Sequence, residues 1–346
     1  MTITSRPITR ATALALLLTG LASMHDVLAQ TGKLNLFMGS SSSSSTSYPI
    51  VVSEARVINK HVPEVQITVL ETGATHDNMQ RMARGQLRIT GATGYDGPVM
   101  AYHGLYQYKA KPLKQVRTVL IERQPVLMFV VRADSGVKTF RELHGKPFYA
   151  GIPGSGAEFN ARLLFKKLAI EPKLTFGSLA DGVEAIKEGR IVGMVKYSPG
   201  ARSIDSSLMD IKTRIPVRIL SLTEEESKAA EVVPGHSRVD LSSDSTLLKG
   251  IQSEAVVAIG VGAGIFASAD LPADIVYKII KGLDEDWKKE LGGTFADLAT
   301  VDVIGDTIRG AAGVEQPVPL HAGVVKYFTE RGHKIPATLL PPEWRN

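Results

Sequence analysis

The chain has 346 residues, of which 44% are hydrophobic and 22% charged, and its 40 basic against 35 acidic residues give a formal charge of +5. This composition excludes a disordered, collagenous or multi-span membrane protein, and the length predicts two lobes because a single core stops growing near roughly 250 to 300 residues. The sequence contains 0 cysteines, which excludes disulfides, thiolate metal sites, iron–sulfur clusters and cysteine nucleophiles.

The first thirty residues have the pattern of an export signal. Arg6 and Arg10 precede an apolar stretch at 11–22 that is too short to span a bilayer as a helix. Small and aliphatic residues at 27–29 then suit a cleavage site. We therefore expect residues 1–29 to be a cleaved signal peptide. An exported protein without cysteine fits a bacterial periplasm best, so we expect a soluble periplasmic product.

Apolar runs that predict strands alternate with helical patterns along the rest of the chain. In chain order, the pattern predicts a strand at 33–39, a helix at 48–59, a strand at 65–72, a helix at 76–85, a strand at 126–132, a short helix at 140–143, a strand at 146–152, a helix at 157–169, a strand at 173–178, a helix at 180–188 and a strand at 191–197. This alternation predicts an α/β protein with mostly parallel sheets covered by helices.

The last third of the chain is less regular. Residues 223–253 lose periodicity, which predicts loops or a small subdomain. The run at 254–268 predicts one long apolar strand, followed by a helix from 270 to about 290 and a last helix near 321–331.

Five segments of small and polar residues fall where a predicted strand ends and a predicted helix begins. They cover 39–49, 72–78, 90–96, 151–158 and 177–182. In open parallel sheets the strand carboxyl ends form one crevice, into which the following helix amino ends point free N–H groups. Such a crevice favours a carboxylate or another anion. Taken alone, each segment is also compatible with helix caps or, for the serines, with a linker.

Nothing in the sequence points clearly to catalysis or to a cofactor. The glycine-rich turn at 154–156 lacks the lysine of a P-loop and the spacing of a dinucleotide fingerprint, and neither HExxH nor GxSxG is present. Charge runs and basic helices with interleaved aromatics are missing from the sequence, which argues against nucleic-acid binding. We expect no enzyme, no metal and no cofactor. His76 suits a helix cap or a ligand contact equally.

Lys196 closes an apolar strand that we expect to end at the crevice. An ammonium there would balance an acidic solute. The alternative is a surface lysine whose stem lies along apolar side chains. We include Lys196 among the candidate binding residues and keep both interpretations.

Several motifs, taken in order, carry a family resemblance. They are the loop ending TSYP at 46–49, TGATHDN at 72–78, LMFVVRADSGVKTFRELHGKPFYAGIPGSG at 127–156, AIGVGAGIFASADLPADIVYKIIKGL at 258–283 and PLHAGVVKYFTERG at 319–332. With them the chain resembles, from about Leu34 to Gly332, the TAXI-type solute-binding proteins of tripartite ATP-independent periplasmic (TRAP) transporters.

The resemblance implies a type II periplasmic binding protein, in which two α/β lobes joined by two crossovers hold a solute between them. Applied to this chain, it implies a lobe I of 30–128 and 257–346 and a lobe II of 129–256. The protein would be a monomer that delivers a small organic anion or amino acid to TRAP membrane subunits. The residues that match the family's cleft positions are Ser44, Ser45, Thr46, Tyr48, Asn78, Thr93, Gly154, Ser155 and Gly156.

Two other functional classes share these features. A binding subunit of an ATP-driven (ABC) importer or of a sensor kinase would have the same cleft. A periplasmic enzyme on the same scaffold would need carboxylates or histidines that converge there, and the sequence brings no two of them together.

Overall fold

The computed structural model describes residues 32–252 and 254–345. The expected signal peptide at 1–29 lies outside these residues. The strands are β1 (Leu34–Gly39), β2 (Val65–Leu70), β3 (Ile89–Gly94), β4 (Val116–Arg123), β5 (Val126–Arg132), β6 (Pro147–Tyr149), β7 (Lys173–Thr175), β8 (Gly193–Tyr197), β9 (Val217–Ile219), β10 (His236–Leu241), β11 (Val256–Val261) and β12 (Ala263–Ser268).

The helices alternate with these strands. They are α1 (Ser47–His61), α2 (Thr75–Ala83), α3 (Asp96–His103), α4 (Gly156–Lys167), α5 (Leu179–Lys187), α6 (Ser206–Arg214), α7 (Glu224–Glu231), α8 (Ala273–Asp286), α9 (Val303–Ala312) and α10 (Ala322–Glu330). A π-helical turn, Trp287–Gly292, extends α8. Within 32–252 and 254–345, none of these helices combines the length and the apolar character that crossing a bilayer requires.

The strands form two separate sheets, each the centre of one lobe. Lobe I contains the sheet β2-β1-β3-β12-β4, and lobe II contains β10-β11-β5-β8-β6-β7 with β9 beside β5. The expected two-lobe α/β fold is therefore confirmed. Both sheets are mixed rather than mostly parallel as predicted: β1 pairs in parallel with β2 and β3, and β6 with β7 and β8, whereas the remaining six pairs are antiparallel. The parallel strands are the ones that carry the polar segments.

The chain crosses between the lobes twice, at Gln124–Pro125 and at Gly262. The apolar run at 254–268 is therefore two strands in different sheets, and the prediction of one strand is wrong. The break at Gly262 is held from both sides, because Val261 N donates to Pro125 O at 3.1 Å and Tyr95 N donates to Gly262 O at 2.7 Å. The lobe boundaries predicted at 128/129 and 256/257 fall inside β5 and at the start of β11.

Residues 223–253, predicted as irregular, contain α7 and β10. Helix α7 begins with a capping box, in which Thr223 accepts from Glu226 N while the Glu226 side chain accepts from Thr223 N. Strand β10 lies at the edge of the sheet and pairs only with β11, so most of its side chains stay in contact with solvent. A polar edge strand gives no apolar alternation, which explains why the pattern is weak.

Each sheet is covered on both faces by apolar side chains. In β5, alternate residues point to opposite sides: Met128 and Val130 pack in one core of lobe II, and Phe129 and Val131 pack in the other. Lobe I has a single large cluster that joins its sheet to α1, α8 and α10. Burial on both faces explains why β5 reads as a continuous apolar run.

Candidate functional site

One cavity, which we call the cleft cavity, lies between the lobes where the parallel strands end. Its volume is about 90 Å³. Each of the five polar segments joins a strand to a helix, as predicted, and each contributes residues to the lining. Lobe I supplies the segments after β1, β2 and β3, and lobe II those after β6 and β7. The predicted crevice between facing lobes is therefore present.

Hydroxyl groups and first-turn backbone amides dominate the polar part of this lining. Ser41, Ser42, Ser45 and Ser47 come from the first segment, Thr75 from the second, and Ser155 and Gly156 from the fourth. The amino ends of α2 and α4 open directly beside the cavity, and the first amides of a helix have no acceptor within it. These groups donate hydrogen bonds without adding a negative charge.

Two cations complete the lining, and their carboxylate partners lie outside it. Arg123, at the end of β4, forms a buried ion pair with Glu122. Lys196, near the end of β8, forms an ion pair with Asp205, with 3.3 Å between Nζ and Oδ2. Among the described residues that line the cleft cavity there is no aspartate or glutamate. The cavity thus presents positive charge and donors to an occupant.

Asp205 connects the two lobes at one end of the cleft cavity. It is fully buried and is the N-cap of α6 in lobe II, where Oδ1 accepts from Ser207 N at 3.0 Å. Its other oxygen, Oδ2, accepts from Ser45 Oγ at 3.1 Å and from Thr46 N at 3.2 Å, both in lobe I. Burial acts to raise the pKa of Asp205, but the Lys196 charge and the hydrogen bonds outweigh it and hold the pKa below its ordinary 3.8.

Further contacts between the lobes surround the cavity. Asp96 of lobe I, fully buried, accepts from Asn160 Nδ2 of lobe II at 2.7 Å. Asp77 N donates to Gly154 O at 3.0 Å. The ring of His76 packs on Phe159, with 4.6 Å between centroids. These contacts describe lobes that are closed around the cavity.

His76 does not line the cleft cavity. It is buried, and its Nδ1 lies 2.9 Å from Tyr108 Oη. Burial lowers the pKa of His76, so the imidazole is neutral at pH 7. The residue is a packing element of the closed interface rather than a cap or a charged contact.

Four of the ten candidate binding residues line the cleft cavity: Ser45, Ser155, Gly156 and Lys196. Ser155 is also the N-cap of α4, where its hydroxyl accepts from Glu158 N at 3.1 Å. Lys196 Nζ donates to Ser45 Oγ at 3.1 Å across the cleft. The surface alternative for Lys196 is therefore wrong, although its contact with a solute stays a prediction.

The other six candidates lie near the cavity without lining it. Asn78 and Thr93 are fully buried beneath it, and Asn78 Nδ2 donates to Thr93 Oγ1 at 3.1 Å and to Ser40 O at 3.0 Å. Thr46 and Ser44 bond to the start of α6, with Ser206 N donating to Thr46 Oγ1 at 2.9 Å. Tyr48 and Gly154 complete the six. Within the closed lobes, these residues shape or fasten the cleft.

Sequence reasoning missed Arg123 and Asp205. Arg123 follows Glu122 at the end of β4, a strand that is buried throughout, and the signal in the sequence is this charged pair between two apolar runs. Asp205 precedes Ser206 and Ser207 at a helix start, a pattern that predicts only an N-cap. Its partners are about 160 residues away in the chain, and no local pattern shows such a contact.

A larger hollow of about 790 Å³ lies behind the crossovers, lined by Gln124, Gly262 and residues of both lobes. Of the five polar segments, only the third reaches it, through Tyr95. We place the candidate site in the smaller cleft cavity because the five polar segments, the helix amino ends and Lys196 meet there, whereas Arg123 lines both spaces. Among residues 32–252 and 254–345, no group of three histidine, aspartate or glutamate side chains is placed to hold a metal.

Solved structures with similar folds include one described as a periplasmic transporter. It is 11% identical, with coverage of 86% of this chain and 92% of that chain and a TM-score of 0.50. An ancestral arginine-binding protein bound to arginine is 12% identical (75% and 94% coverage, TM-score 0.46). The alkanesulfonate-binding protein SsuA from Xanthomonas axonopodis pv. citri, bound to MOPS, is 16% identical (89% and 94% coverage, TM-score 0.42). At these identities the likeness concerns the fold alone.

A family match covers most of the chain. It extends over residues 38–332, which include β2 to β12, α1 to α10 and the end of β1. The narrower TAXI resemblance remains an interpretation of the motifs. By this match, the chain belongs to the NMT1-like family.

Proposed function

We propose that the protein is a periplasmic solute-binding protein that captures a small carboxylate-bearing solute by closing its two lobes. The observation that carries this proposal is the cleft cavity, where five strand-to-helix turns from both lobes meet beside Lys196 and Arg123. A carboxylate in this position receives hydrogen bonds from hydroxyls and first-turn amides. The helix dipoles and the two cations favour its negative charge.

Binding is expected to work by hinge closure. The described contacts between the lobes, such as Asp96 with Asn160 and Asp77 with Gly154, exist only when the lobes meet. A solute that touches both lobes favours the closed state by its differential affinity for that state. The closed surface would then be the one that a membrane carrier recognises.

The cleft offers little for covalent chemistry. Carboxylates near it are already bound within the protein: Asp96 accepts from Asn160 and Gly97 N, and Glu158 accepts from Arg162 and Gly154 N. General acid–base catalysis requires a group that is free to exchange a proton with the substrate. We therefore propose a binding protein rather than an enzyme, which turnover assays on a bound solute would test.

Delivery to TRAP-type membrane subunits is the finer part of the proposal and rests on the motif resemblance. A binding subunit of an ABC importer or of a sensor kinase would have the same cleft between two lobes. Deletion of the adjacent transporter genes, followed by uptake of the identified solute, would separate these classes. Uptake that depends on an ATPase subunit would contradict TRAP delivery and leave the binding function intact.

The binding function is tested with a panel of carboxylates. A bound acid should raise the melting temperature and reduce the radius of gyration measured by small-angle X-ray scattering, because it stabilises the closed lobes. If a folded protein shows neither change with any organic or amino acid at millimolar concentration, the proposal is wrong.

A further inference from the structure

We infer that the cleft cavity selects short acids that lack an amino group; this inference rests on the proposed function. The first argument is size. The cavity volume of about 90 Å³ is smaller than an engineered cavity of about 150 Å³ in another protein, which holds benzene. The closed cleft therefore has room for an acid of roughly four to six non-hydrogen atoms.

The second argument is charge. An amino acid carries an ammonium group, which needs an anionic or carbonyl partner once water is excluded. The described lining contains Arg123 and Lys196 but no carboxylate. The carboxylates around it already have partners: Asp77 accepts from Gly73 N and Arg81, and Asp205 pairs with Lys196. Since the two cations of the lining already use the nearby carboxylates Glu122 and Asp205, an ammonium in this cavity would find no carboxylate left to pair with.

Matched solutes test this selection directly. L-lactate and L-alanine differ in a hydroxyl against an ammonium, so calorimetric titration at pH 7 should give a dissociation constant at least tenfold lower for lactate. Propanoate should bind, whereas benzoate should not. Equal or tighter binding of alanine, or a preference for benzoate over propanoate, would overturn the inference while leaving solute binding in place. If no acid of any size binds, the proposed function falls with it.

A designed change of preference gives a second test. Ala157 lines the cavity in the first turn of α4, where an acidic residue is compatible with the helix dipole. The variant Ala157→Asp supplies the missing counter-ion and should narrow the lactate-to-alanine preference by about tenfold. Ala157→Asn has the same shape without the charge and should leave the preference unchanged. If Ala157→Asp and Ala157→Asn show the same lactate-to-alanine preference, the charge argument is wrong.

A different observation, the position of Asp205, carries a second proposal: the geometry points to Asp205 as a latch that holds the lobes closed. The amino ends of α1 and α6 face each other across the cleft, and the single carboxylate bonds to both. Oδ1 accepts from Ser207 N at 3.0 Å, and Oδ2 accepts from Thr46 N at 3.2 Å. Two positive dipole ends that would repel each other are joined by one negative charge.

The latch belongs to lobe II and leaves lobe I when the cleft opens. Its Oδ1 is held by the cap of α6, so the carboxylate moves with that helix. Its contacts with Ser45 and Thr46 can form only in the closed state. A solute acid that replaced the Asp205 carboxylate at the amino end of α1 would have to break the contacts of Asp205 with Ser45 and Thr46. The solute therefore binds deeper in the cavity, beside Thr75 and Ser155.

The latch is tested without any solute. The chain has 0 cysteines, so Val52→Cys and Met209→Cys introduce two unique spin-label sites on α1 and α6, both exposed. Pulsed electron spin resonance then reports the distance between the helices. Asp205→Asn and Asp205→Ser should shift this distance to longer and broader values. Asparagine and serine both serve as N-caps, so the two variants separate the latch from the cap of α6.

The matched control is Asp302→Asn. Asp302 also caps a helix, α9, by accepting from Gly305 N at 3.0 Å, but it lies within lobe I. Its substitution by asparagine keeps a capping side chain and should leave the distance between α1 and α6 unchanged. If both Asp205 variants are folded and keep the parent distance, Asp205 is a cap only and the latch proposal is wrong.

Discussion

Glu54 provides the strongest test of the energetics, because it is a carboxyl group buried without a hydrogen-bond partner. It lies in α1 with 0% of its surface exposed, and neither side-chain oxygen has a partner among the described residues. Gly91 in β3 leaves room for it: a Cβ there would lie 2.7 Å from Glu54 Oε2. Burial raises the pKa of Glu54 from 4.5 to about 7, with Arg123 acting weakly in the opposite direction.

The sign and size of the effect follow from proton linkage. The folded state holds the Glu54 proton more tightly than the unfolded state, so the free energy of unfolding falls as pH rises from 4.5 towards 7. One pKa unit corresponds to about 1.4 kcal/mol, so the shift from 4.5 to about 7 lowers the free energy of unfolding by about 3 kcal/mol in total. Glu54→Gln keeps the shape and cannot ionise. The free energy of unfolding of Glu54→Gln, measured relative to that of the parent protein, should therefore rise by about 3 kcal/mol between about pH 4 and pH 8.

Urea denaturation of both proteins across this range measures the difference directly, and the other titrating groups cancel in it. Glu225→Gln, at an exposed position, is the control and should not reproduce the gain of about 3 kcal/mol. A difference between Glu54→Gln and the parent that does not change with pH would refute the reasoning. It would mean that the carboxylate finds compensating contacts despite its burial.

Three further predictions concern other sites. Burial lowers the pKa of His321 from 6.5 to about 4. Because the folded state resists protonation of this ring, lowering the pH from 6.5 to 4 should reduce the free energy of unfolding by about 3 kcal/mol. His321→Gln should abolish this loss in the same urea denaturation assay. Gly264→Ala should lower the free energy of unfolding by about 3 kcal/mol or more, because the new Cβ would lie 1.9 Å from Leu120 O. The control Gly262→Ala, whose Cβ would have no contact under 3.4 Å, should melt near the parent temperature. Thr223→Ala should cost about 1 kcal/mol through the lost cap of α7, and Thr223→Ser should restore it, as thermal melts would show.

The fold could be predicted where burial imposes a clear pattern. Strand β5 occupies 126–132 as expected, since both of its faces are buried and the apolar run is unbroken. The edge strand β10 and the helix α6 were not predicted. Only Ser207, Leu208 and Ile211 of α6 are buried, too few to give a periodic signal. Partial burial, rather than irregular structure, hides these elements in the sequence.

The site could be predicted as a place but not as a set of contacts. Strand-to-helix turns are local, so the five polar segments were found and do share a cavity. Which residues face the cavity depends on side-chain direction and on the distant partner lobe. Asn78 has a side chain that could bind a solute, yet its amide group donates hydrogen bonds to Thr93 and to Ser40 O beneath the cleft. In the sequence Asp205 has the pattern of an ordinary cap, and its lobe I partners are visible only in the structure.

The two crossovers between the lobes are chemically unequal. One contains Pro125, whose ring fixes φ near about −65°, and the other turns at Gly262, which has no side chain to restrict its torsions. In a closure of the kind proposed, we therefore expect the two connections to bend by unequal amounts, because the backbone torsions of Gly262 are less restricted than those of Pro125.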